Sequence, residues 1–198
     1  HYGVSRMTAR NAVTHLLQQG LIYRVHGKGT FVSATKLERN LNKLNNFYED
    51  IIKLGMTPSA KLLNMEKRLP TQKEQQVLEI NKNQYVYDVT RIRYVNEDPL
   101  GYQNFIIPLH FVPELEKVDL EKGSLYKYLK DCGHHIYKAE QRMEAVLAPE
   151  IAKLMNLPKE QPFFYFERVS YLKDGTPIEI LKSHFYGEKY SFNITLYS

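Results

Sequence analysis

The N-terminal segment from His1 to Val32 constrains the fold most, because it combines one amphipathic helix with a short basic turn between two apolar runs. The stretch VSRMTARNAVTHLLQQ (4–19) contains Ser5 as a candidate N-cap and leads into Gly20, a typical residue for ending a helix. Apolar residues at helical spacing predict one buried stripe on this helix: Ala9, Ala12, Val13, Leu16 and Leu17. The runs 21–25 and 30–32 flank HGKG (26–29), which predicts a β-hairpin with a glycine-rich basic tip. An ordinary surface hairpin is the alternative interpretation of this turn.

The excess positive charge of the chain lies in the same region. The whole chain has 27 basic and 22 acidic residues, yet the first acid is Glu38. Five basic residues precede it, namely Arg6, Arg10, Arg24, Lys28 and Lys36, so the remainder of the chain is electrically balanced. This asymmetry favours a small polyanion-binding head on a neutral body, although a chance run of basic residues would look the same. Arg6 and Arg10 share a helix face apart from the apolar stripe, which suits the major groove of double-stranded DNA.

Composition excludes several other classes of protein. A single cysteine, Cys132, excludes an internal disulfide framework and a thiolate metal cage, and His134 and His135 beside it lack the spaced partners of a metal site. Hydrophobic residues make up 43% of the chain, but no apolar run is long enough to span a bilayer. No nucleotide-binding glycine loop or catalytic triad order is present. We therefore expect a soluble, cytoplasmic protein that uses no metal or cofactor and is not an enzyme.

Beyond the head, the pattern predicts a connection followed by a mixed helix and strand domain. Residues 33–39 are polar and predict a linker, and a helical stripe from Leu37 to Ile51 predicts a helix that ends at Gly55. A capping box of Thr71 and Glu74 predicts a short helix through Leu78. Three segments rich in β-branched and aromatic residues predict strands: 60–68, 85–95 and 100–107.

Part of this pattern recurs at a constant offset later in the chain. Arg91 corresponds to Arg168 and Tyr94 to Tyr171, and each half contains a short helix, a strand, a polar turn ending in proline and another strand. Two copies of one unit predict a pseudo-symmetric α+β domain around one antiparallel sheet. Coincidence between common elements is the alternative.

A few polar residues are candidates for binding a small anion. Arg91 and Arg93 lie two apart on one predicted strand, so their guanidinium groups share a sheet face and could bind a phosphate or carboxylate together. A solvated face with surface ion pairs is the alternative. Ser124 is either a plain N-cap or part of an anion site at a helix start, and Thr57 and Ser59 could add hydroxyl groups from a polar turn.

Residues 4–32 resemble the second half of a GntR-superfamily winged helix-turn-helix, in the segments VSR-T-R, GLI and HGKGTF. The resemblance implies a DNA-binding domain over 1–35, with two further helices preceding His1. It implies that Arg6 and Arg10 contact bases or adjacent phosphates, that Ser5 and Thr8 hold phosphates, and that the wing tip His26–Gly27–Lys28 enters the minor groove.

Residues 36–198 resemble the UTRA effector-binding domain of HutC-type GntR regulators, which has a chorismate-lyase-like antiparallel fold. The motifs that carry it are LGMTP (54–58), RIRYVNEDPL (91–100), GSLYKYL (123–129), DGTPIE (174–179) and SHFYGEKYSF (183–192). It implies an effector site in this domain built from Arg91, Arg93, Gln103, Ser124, Glu179 and Phe185, with Thr57 and Ser59 beside them. Sugar-phosphate sensors of the family often carry glutamate at the position of Gln103 and tyrosine at that of Phe185. The resemblance therefore implies that the residues binding the anionic group of the effector are retained, whereas the residues binding its sugar hydroxyls differ.

Together these patterns predict a repressor of sugar-utilisation genes that binds a palindromic operator as a homodimer and is released by an anionic metabolite such as a sugar phosphate. Two alternatives stay open from the sequence. One is a constitutive DNA-binding regulator with a vestigial pocket, and the other is a chorismate-lyase-like enzyme acting on an aromatic acid.

Overall fold

The computed structural model describes residues 3–18, 22–25, 27, 29–32, 36–44 and 47–196. The chain divides into two compact units, His1–Leu37 and Glu38–Ser198. Each unit has its own secondary structure and is described by itself.

The N-terminal unit contains one helix and one hairpin. Helix α1 spans Arg6–Gln18, and strands β1 (Ile22–Val25) and β2 (Gly29–Val32) pair antiparallel. The predicted N-cap is confirmed, because the Ser5 hydroxyl accepts a hydrogen bond from the backbone N–H of Thr8 at 3.1 Å. Gly27 has a φ of 74°, in the left-handed region that glycine tolerates best, which explains a glycine in this turn.

The prediction of a buried stripe on α1 is wrong for the described part of this unit. None of the helix residues is buried, and Leu16 is 37% exposed. Strand β1 contacts the helix but leaves Val13 and Leu17 only half-buried. The spacing of apolar residues defines a face, whereas burial also requires an element that covers that face.

The second unit is built on a six-stranded antiparallel sheet with the strand order β4-β5-β6-β9-β8-β7. This arrangement confirms the predicted α+β class with one antiparallel sheet. Its strands are β4 (Pro58–Arg68), β5 (Val86–Val95), β6 (Asp98–Pro108), β7 (Lys138–Leu147), β8 (Pro162–Tyr171) and β9 (Pro177–Tyr186). Its helices are α2 (Phe47–Lys53), α3 (Gln72–Leu78), α4 (Leu125–Asp131) and α5 (Pro149–Leu154), with 3₁₀ turns at Leu109–Phe111 and Leu115–Lys117.

The two halves of the sheet repeat each other, as the recurring sequence pattern predicts. Each half runs strand, helix, strand, strand: β4-α3-β5-β6 and β7-α5-β8-β9. Helix α3 is followed by Glu79 with a φ of 53°, and the equivalent residue after α5 in the second half is Asn156 with a φ of 57°. The next residue donates in both halves, Ile80 N to Gln75 O at 3.1 Å and Leu157 N to Ala152 O at 2.8 Å. The repeat therefore extends to the way each helix ends.

The two faces of the sheet are covered by different helices. On one face, Leu78 of α3 packs with Val86, Ile106 and Ile180, and α5 packs Ala152 and Met155 against Ile92 and Phe163. On the opposite face, α4 packs Leu125 and Leu129 into the largest core cluster, which includes Phe105 and Leu181. Helix α4 covers only part of this second face, and the remainder borders a cavity.

The predicted helix from Leu37 to Ile51 is wrong over its first half. Residues Leu37–Asn40 form strand β3, which pairs with β10 (Tyr190–Asn193), and helix α2 begins only at Phe47. The backbone N–H of Leu41 donates to the carbonyl of Asn193 at 2.8 Å. This pairing joins residues about 150 positions apart, so the local periodicity of the sequence does not report it. The predicted linker 33–39 accordingly overlaps β3 from Leu37 onward.

Candidate functional site

A cavity of about 240 Å³ lies on the sheet face opposite α3 and α5. Strands β5 to β9 form its floor, and residues of α4, β3 and the start of α2 line its sides. Six of the eight predicted ligand residues line this one cavity: Arg91, Arg93, Gln103, Ser124, Glu179 and Phe185.

Strand register explains why distant residues meet here. Arg91 on β5 pairs with Gln103 on β6, which in turn pairs with Ser183 on β9. Because side chains alternate along a strand and opposite partners share a face, these three side chains form one row across the sheet. Gly101 pairs with Phe185 in the neighbouring row, and a Cβ at Gly101 would lie only 2.8 Å from Cδ1 of that ring. The absence of a side chain at Gly101 therefore leaves room for the Phe185 ring at the cavity.

Two guanidinium groups are buried at the cavity with few partners. Arg91 and Arg93 are 4% and 3% exposed, and they lie over the rings of Phe105 (5.3 Å) and Phe47 (4.6 Å). Arg91 Nη1 donates to the carbonyl of Leu120 at 3.3 Å. Arg91 Nε, Arg93 Nε and Arg93 Nη1 have no hydrogen-bond partner among the described residues.

The arginine pair is electrostatically unfavourable at this position. Burial lowers the pKa of Arg91 to about 10, against a partial opposing effect of Glu179. Burial also lowers the pKa of Arg93 well below its usual value, and the positive charge of Arg91 lowers it further. An anion beside the two guanidinium groups would favour their charged forms and raise both pKa values towards the ordinary value.

Gln103 extends the set of unsatisfied polar atoms. Its side chain is 6% exposed, and its Nε2 donates weakly to the Ser183 hydroxyl at 3.5 Å. Its Oε1 is buried without a partner in the described ranges. A buried amide oxygen of this kind can accept a hydrogen bond from a ligand hydroxyl.

A second polar group in the cavity is centred on Glu179, which is 1% exposed. Its Oε2 accepts hydrogen bonds from the hydroxyls of Tyr126 and Ser170, both at 3.0 Å. Burial raises the pKa of Glu179, while the charge of Arg168 and these hydrogen bonds oppose the rise. Burial and the nearby carboxylate raise the pKa of Tyr126 to about 12, so its hydroxyl stays protonated and donates.

Arg168 is a cavity residue that the sequence analysis did not assign to the site. Its Nε and Nη2 donate to Oε1 of Gln141 at 2.9 and 2.7 Å, and its Nη1 reaches the Tyr126 hydroxyl at 3.5 Å. The internal repeat, which relates it to Arg91, is the signal that could have found it.

The remaining predicted residues have ordinary structural contacts. The Ser124 hydroxyl accepts from the backbone N–H of Lys127 at 3.3 Å, which confirms the N-cap, while its side chain also lines the cavity. Thr57 donates its backbone N–H to Asn96 Oδ1 at 3.2 Å, and Ser59 pairs with Tyr94 on the β4–β5 ladder. Neither Thr57 nor Ser59 lines the cavity.

The cavity carries an excess of positive charge. Its lining holds five basic side chains and one acidic side chain: Arg39, Lys43, Arg91, Arg93 and Arg168 against Glu179. The described residues contain no group of three or more side chains that could hold a metal ion. None of the helices in the described ranges is long and apolar enough to cross a membrane. The arrangement suits a small molecule with an anionic end and a hydroxyl-bearing end.

The N-terminal unit presents its own basic surface. Arg6 and Arg10 are exposed on α1, and the Thr14 hydroxyl donates to the carbonyl of Arg10 at 2.9 Å. The hydroxyls of Ser5 and Thr8 lie 2.9 Å apart at the start of the same helix. Gly27 is exposed in the hairpin turn, whereas His26 and Lys28 lie outside the described residues.

Comparison with known proteins identifies both parts of the chain. Residues 1–32 match the family model "Bacterial regulatory proteins, gntR family", and residues 53–191 match the UTRA domain. The chain is 33% identical over 193 residues to the HTH-type transcriptional repressor NagR of Bacillus subtilis, covering 96% of this chain and 79% of that protein. It is 26% identical over 197 residues to the Mannosyl-D-glycerate transport/metabolism system repressor MngR of Escherichia coli, covering 98% of this chain and 81% of that protein.

A solved structure supports the same fold. The crystal structure of PhnF from Mycobacterium smegmatis matches with a TM-score of 0.82 at 22% identity, covering 100% of this chain and 87% of that one. The family matches extend over most of the chain and concern regulators of transcription rather than enzymes. The chain belongs to the GntR family of bacterial regulatory proteins, as a HutC-type DNA-binding transcription regulator with a UTRA domain.

Proposed function

We propose that this regulator is a repressor of sugar-utilisation genes, and that an anionic sugar derivative, such as a sugar phosphate, releases it from its operator. The relative NagR is a transcriptional repressor, which supports repression. Two other relatives support the sugar assignment by name. MngR is the repressor of a mannosyl-D-glycerate system, and a probable fructoselysine utilization operon repressor of Escherichia coli is 25% identical over 182 residues. The protein would act in the cytoplasm, where both operator and metabolite are present.

One observation carries the choice of an anionic effector. The guanidinium groups of Arg91 and Arg93 are buried at the cavity with three N–H-bearing nitrogens unpartnered among the described residues. A buried donor without an acceptor is costly, and a charged one costs more. Phosphate or carboxylate oxygens are the acceptors that match guanidinium geometry, so such a group would satisfy these donors.

The other polar atoms of the cavity support a sugar as the remainder of the ligand. Gln103 Oε1 offers a buried acceptor, and Glu179 already accepts two hydroxyl donors, from Tyr126 and Ser170. Sugar hydroxyls can replace or extend such contacts because each hydroxyl both donates and accepts. Phe185 and Phe105 add apolar walls that a sugar ring can contact.

The proposed regulation is a linkage between ligand binding and DNA binding. Residues 39–44 line the cavity and follow the N-terminal unit directly in the chain. A homodimer would present two recognition helices to a palindromic operator. A ligand that favours one dimer geometry over another shifts the population away from the geometry that fits the operator.

Two substitutions test whether the two activities are separable. We expect Arg10→Ala to abolish binding to operator DNA while glucose 6-phosphate, or another hexose phosphate from a screening panel, still raises the melting temperature. We expect Arg91→Ala to retain DNA binding and to lose the ligand-induced shift. The panel includes the free sugars and small carboxylates as matched probes, which separates recognition of the anion from recognition of the sugar.

The outcomes decide between this proposal and its competitors. A protein whose melting temperature no member of the panel changes at millimolar concentration would contradict the sugar-derivative assignment. A single substitution that removes both activities in a folded protein would contradict separate sites.

A further inference from the structure

Strand β3 brings a further arginine to the cavity, from a segment whose sequence predicts a linker. Arg39 is the third residue of β3, and its half-buried side chain lines the cavity together with Arg91 and Arg93 of β5. Strand β3 begins at Leu37, the last residue of the N-terminal unit. Arg39 is therefore the basic residue of the cavity lining that lies nearest in the chain to the N-terminal unit.

One row of residues across the sheet explains why Arg39 and Arg93 lie close together. Arg93 on β5 pairs with Gly101 on β6, and Gly101 pairs with Phe185 on β9. Because Gly101 has no side chain, the Phe185 ring extends over it, and its Cδ1 lies 2.8 Å from where a Cβ would be. The guanidinium carbon of Arg39 lies 5.6 Å from the centre of this ring. Arg39 therefore lies above the row that ends at Arg93.

The arginines repel one another at this end of the cavity. Burial lowers the pKa of Arg93 most, and the positive charges of Arg91 and Arg39 both lower it further. Glu179, the acidic side chain of the cavity lining, opposes the effect of burial on Arg91. An anion between Arg39 and Arg93 would replace this repulsion by attraction to both groups.

Two neighbours outside the cavity lining can orient Arg39. Tyr190 on β10 is fully buried; burial raises the pKa of its hydroxyl to about 12, and the charge of Arg39 opposes this rise. Burial also raises the pKa of Asp50 on α2, and the charge of Arg39 again opposes the rise. Neither Tyr190 nor Asp50 lines the cavity, so these groups can position the Arg39 side chain without filling the space for a ligand.

We propose that Arg39 binds the anionic group of the effector together with Arg93, so that the bound anion bridges strand β3 to strand β5. The inference rests on the proposed function, because it concerns the same effector and the same cavity. Phosphate suits such a bridge, since its oxygens accept hydrogen bonds from more than one guanidinium group. Strand β3 would then be held by the anion as well as by β10, where the Asn193 carbonyl accepts from Leu41 N at 2.8 Å.

Calorimetric titration of the whole chain with glucose 6-phosphate and with inorganic phosphate tests the bridge. Arg39→Gln removes the charge and keeps a polar side chain, and we expect the affinity for each probe to fall about tenfold or more. Arg39→Lys keeps the charge without the bidentate geometry, so we expect a smaller loss. Inorganic phosphate contains no sugar, so a loss shared by both probes assigns the effect to the anion.

Lys53→Gln is the matched control for the charge of Arg39. Lys53 is exposed on α2, does not line the cavity, and acts on the pKa of Asp50 in the same direction as Arg39. The control therefore removes a positive charge near the same carboxylate, and both affinities should stay unchanged. Melting temperatures without ligand check that each variant is folded.

Amide hydrogen exchange, followed by mass spectrometry, tests the consequence for β3. In the wild type, saturating phosphate should slow exchange in the segment 37–44, which contains the amide of Leu41. In Arg39→Gln, phosphate at a concentration that saturates this variant should no longer slow exchange there. Helix α4, which also lines the cavity, should stay protected by phosphate in both proteins.

The outcomes separate this inference from the proposed function. Unchanged affinity of Arg39→Gln for both probes, or equal protection of 37–44 in the variant and the wild type, would overturn the bridge. A variant with a lowered melting temperature and wild-type affinity would also overturn it, because Arg39 would then serve the fold alone. In each of these cases the wild type still binds its ligand and the proposed function stands, whereas a wild type that binds neither phosphate nor any hexose phosphate would overturn both.

Discussion

Replacing Arg93 with methionine should separate what the guanidinium group does for the ligand from what it costs the fold. Arg93 is 3% exposed, and its Nε and Nη1 lack hydrogen-bond partners in the described part of the chain. Its guanidinium carbon lies 4.6 Å from the centre of the Phe47 ring. Methionine keeps an unbranched apolar stem in the same space and removes the charge and the unsatisfied donors.

The expected gain in stability follows from these contacts. Each buried unsatisfied donor costs about 1–3 kcal/mol, and the cation–π contact with Phe47 returns about 0.5–2 kcal/mol. Two donors together cost about 2–6 kcal/mol, so after loss of that contact the free energy of unfolding, measured without ligand, should rise by about 3 kcal/mol at the middle of the range. At about 2–4 °C per kcal/mol for a chain of this size, the melting temperature should rise by about 2 °C or more.

The same substitution should weaken ligand binding. A charge-assisted hydrogen bond contributes about 1.5–3 kcal/mol, so losing one lowers affinity for an anion by a factor of about ten or more. Thermal denaturation without ligand and calorimetric titration with the hexose phosphate identified in the screen measure the two effects separately. Lys182→Met, which alters an exposed charge on β9, is the matched control and should change neither.

A melting temperature well below that of the wild type, together with unchanged affinity, would refute this reasoning. Such a result would mean that Arg93 stabilises the fold through contacts of its own. Lower stability with lost affinity would instead indicate that Arg93 supports the shape of the cavity rather than the ligand directly.

Three further substitutions test other features of the sheet. Gly101→Val should destabilise the protein by about 1–3 kcal/mol in urea denaturation and weaken ligand binding, since a Cβ there would lie 2.8 Å from the Phe185 ring and 3.0 Å from a backbone oxygen. Burial raises the pKa of Glu179 above its ordinary 4.5, so the folded state ionises later than the unfolded state and stability falls as pH rises from that value; Glu179→Gln should remove this component of the pH profile. Burial lowers the pKa of His184 from 6.5 to about 4, so wild-type stability is lost as pH falls through this interval. The partly exposed position reduces that loss to about 1 kcal/mol, and His184→Gln should show correspondingly less acid sensitivity in the same assay.

Features that depend on a few neighbouring residues were predictable from the sequence. The capping box is present, with Thr71 N donating to Glu74 Oε2 at 2.8 Å and Glu74 N donating to the Thr71 hydroxyl at 3.3 Å. Ser5 and Ser124 cap their helices as the pattern predicts. Both partners of each contact lie within one turn of helix, so the sequence pattern contains them together.

Features that depend on distant partners were not predictable in the same way. The segment from Leu37 has a helical apolar spacing, yet its first residues pair with β10 at the far end of the chain. The spacing of Arg91 and Arg93 predicts a shared face, but only the strand order shows that Gln103 and Ser183 lie on the same row. The cavity itself arises where five strands of the six-stranded sheet meet α4, residues 39–44, Phe47 and β10, and no local pattern encodes that convergence.

The two halves of the internal repeat differ in whether their equivalent arginines have hydrogen-bond partners. Arg91 and Arg168 occupy equivalent positions, but Arg91 faces Leu62 on β4 whereas Arg168 faces Gln141 on β7. Leucine offers no acceptor, so Arg91 keeps an unsatisfied nitrogen, while the amide of Gln141 accepts two N–H groups of Arg168. A single difference between the edge strands, Leu62 on β4 against Gln141 on β7, therefore leaves Arg91 able to bind an anion, whereas Arg168 is already hydrogen-bonded to Gln141.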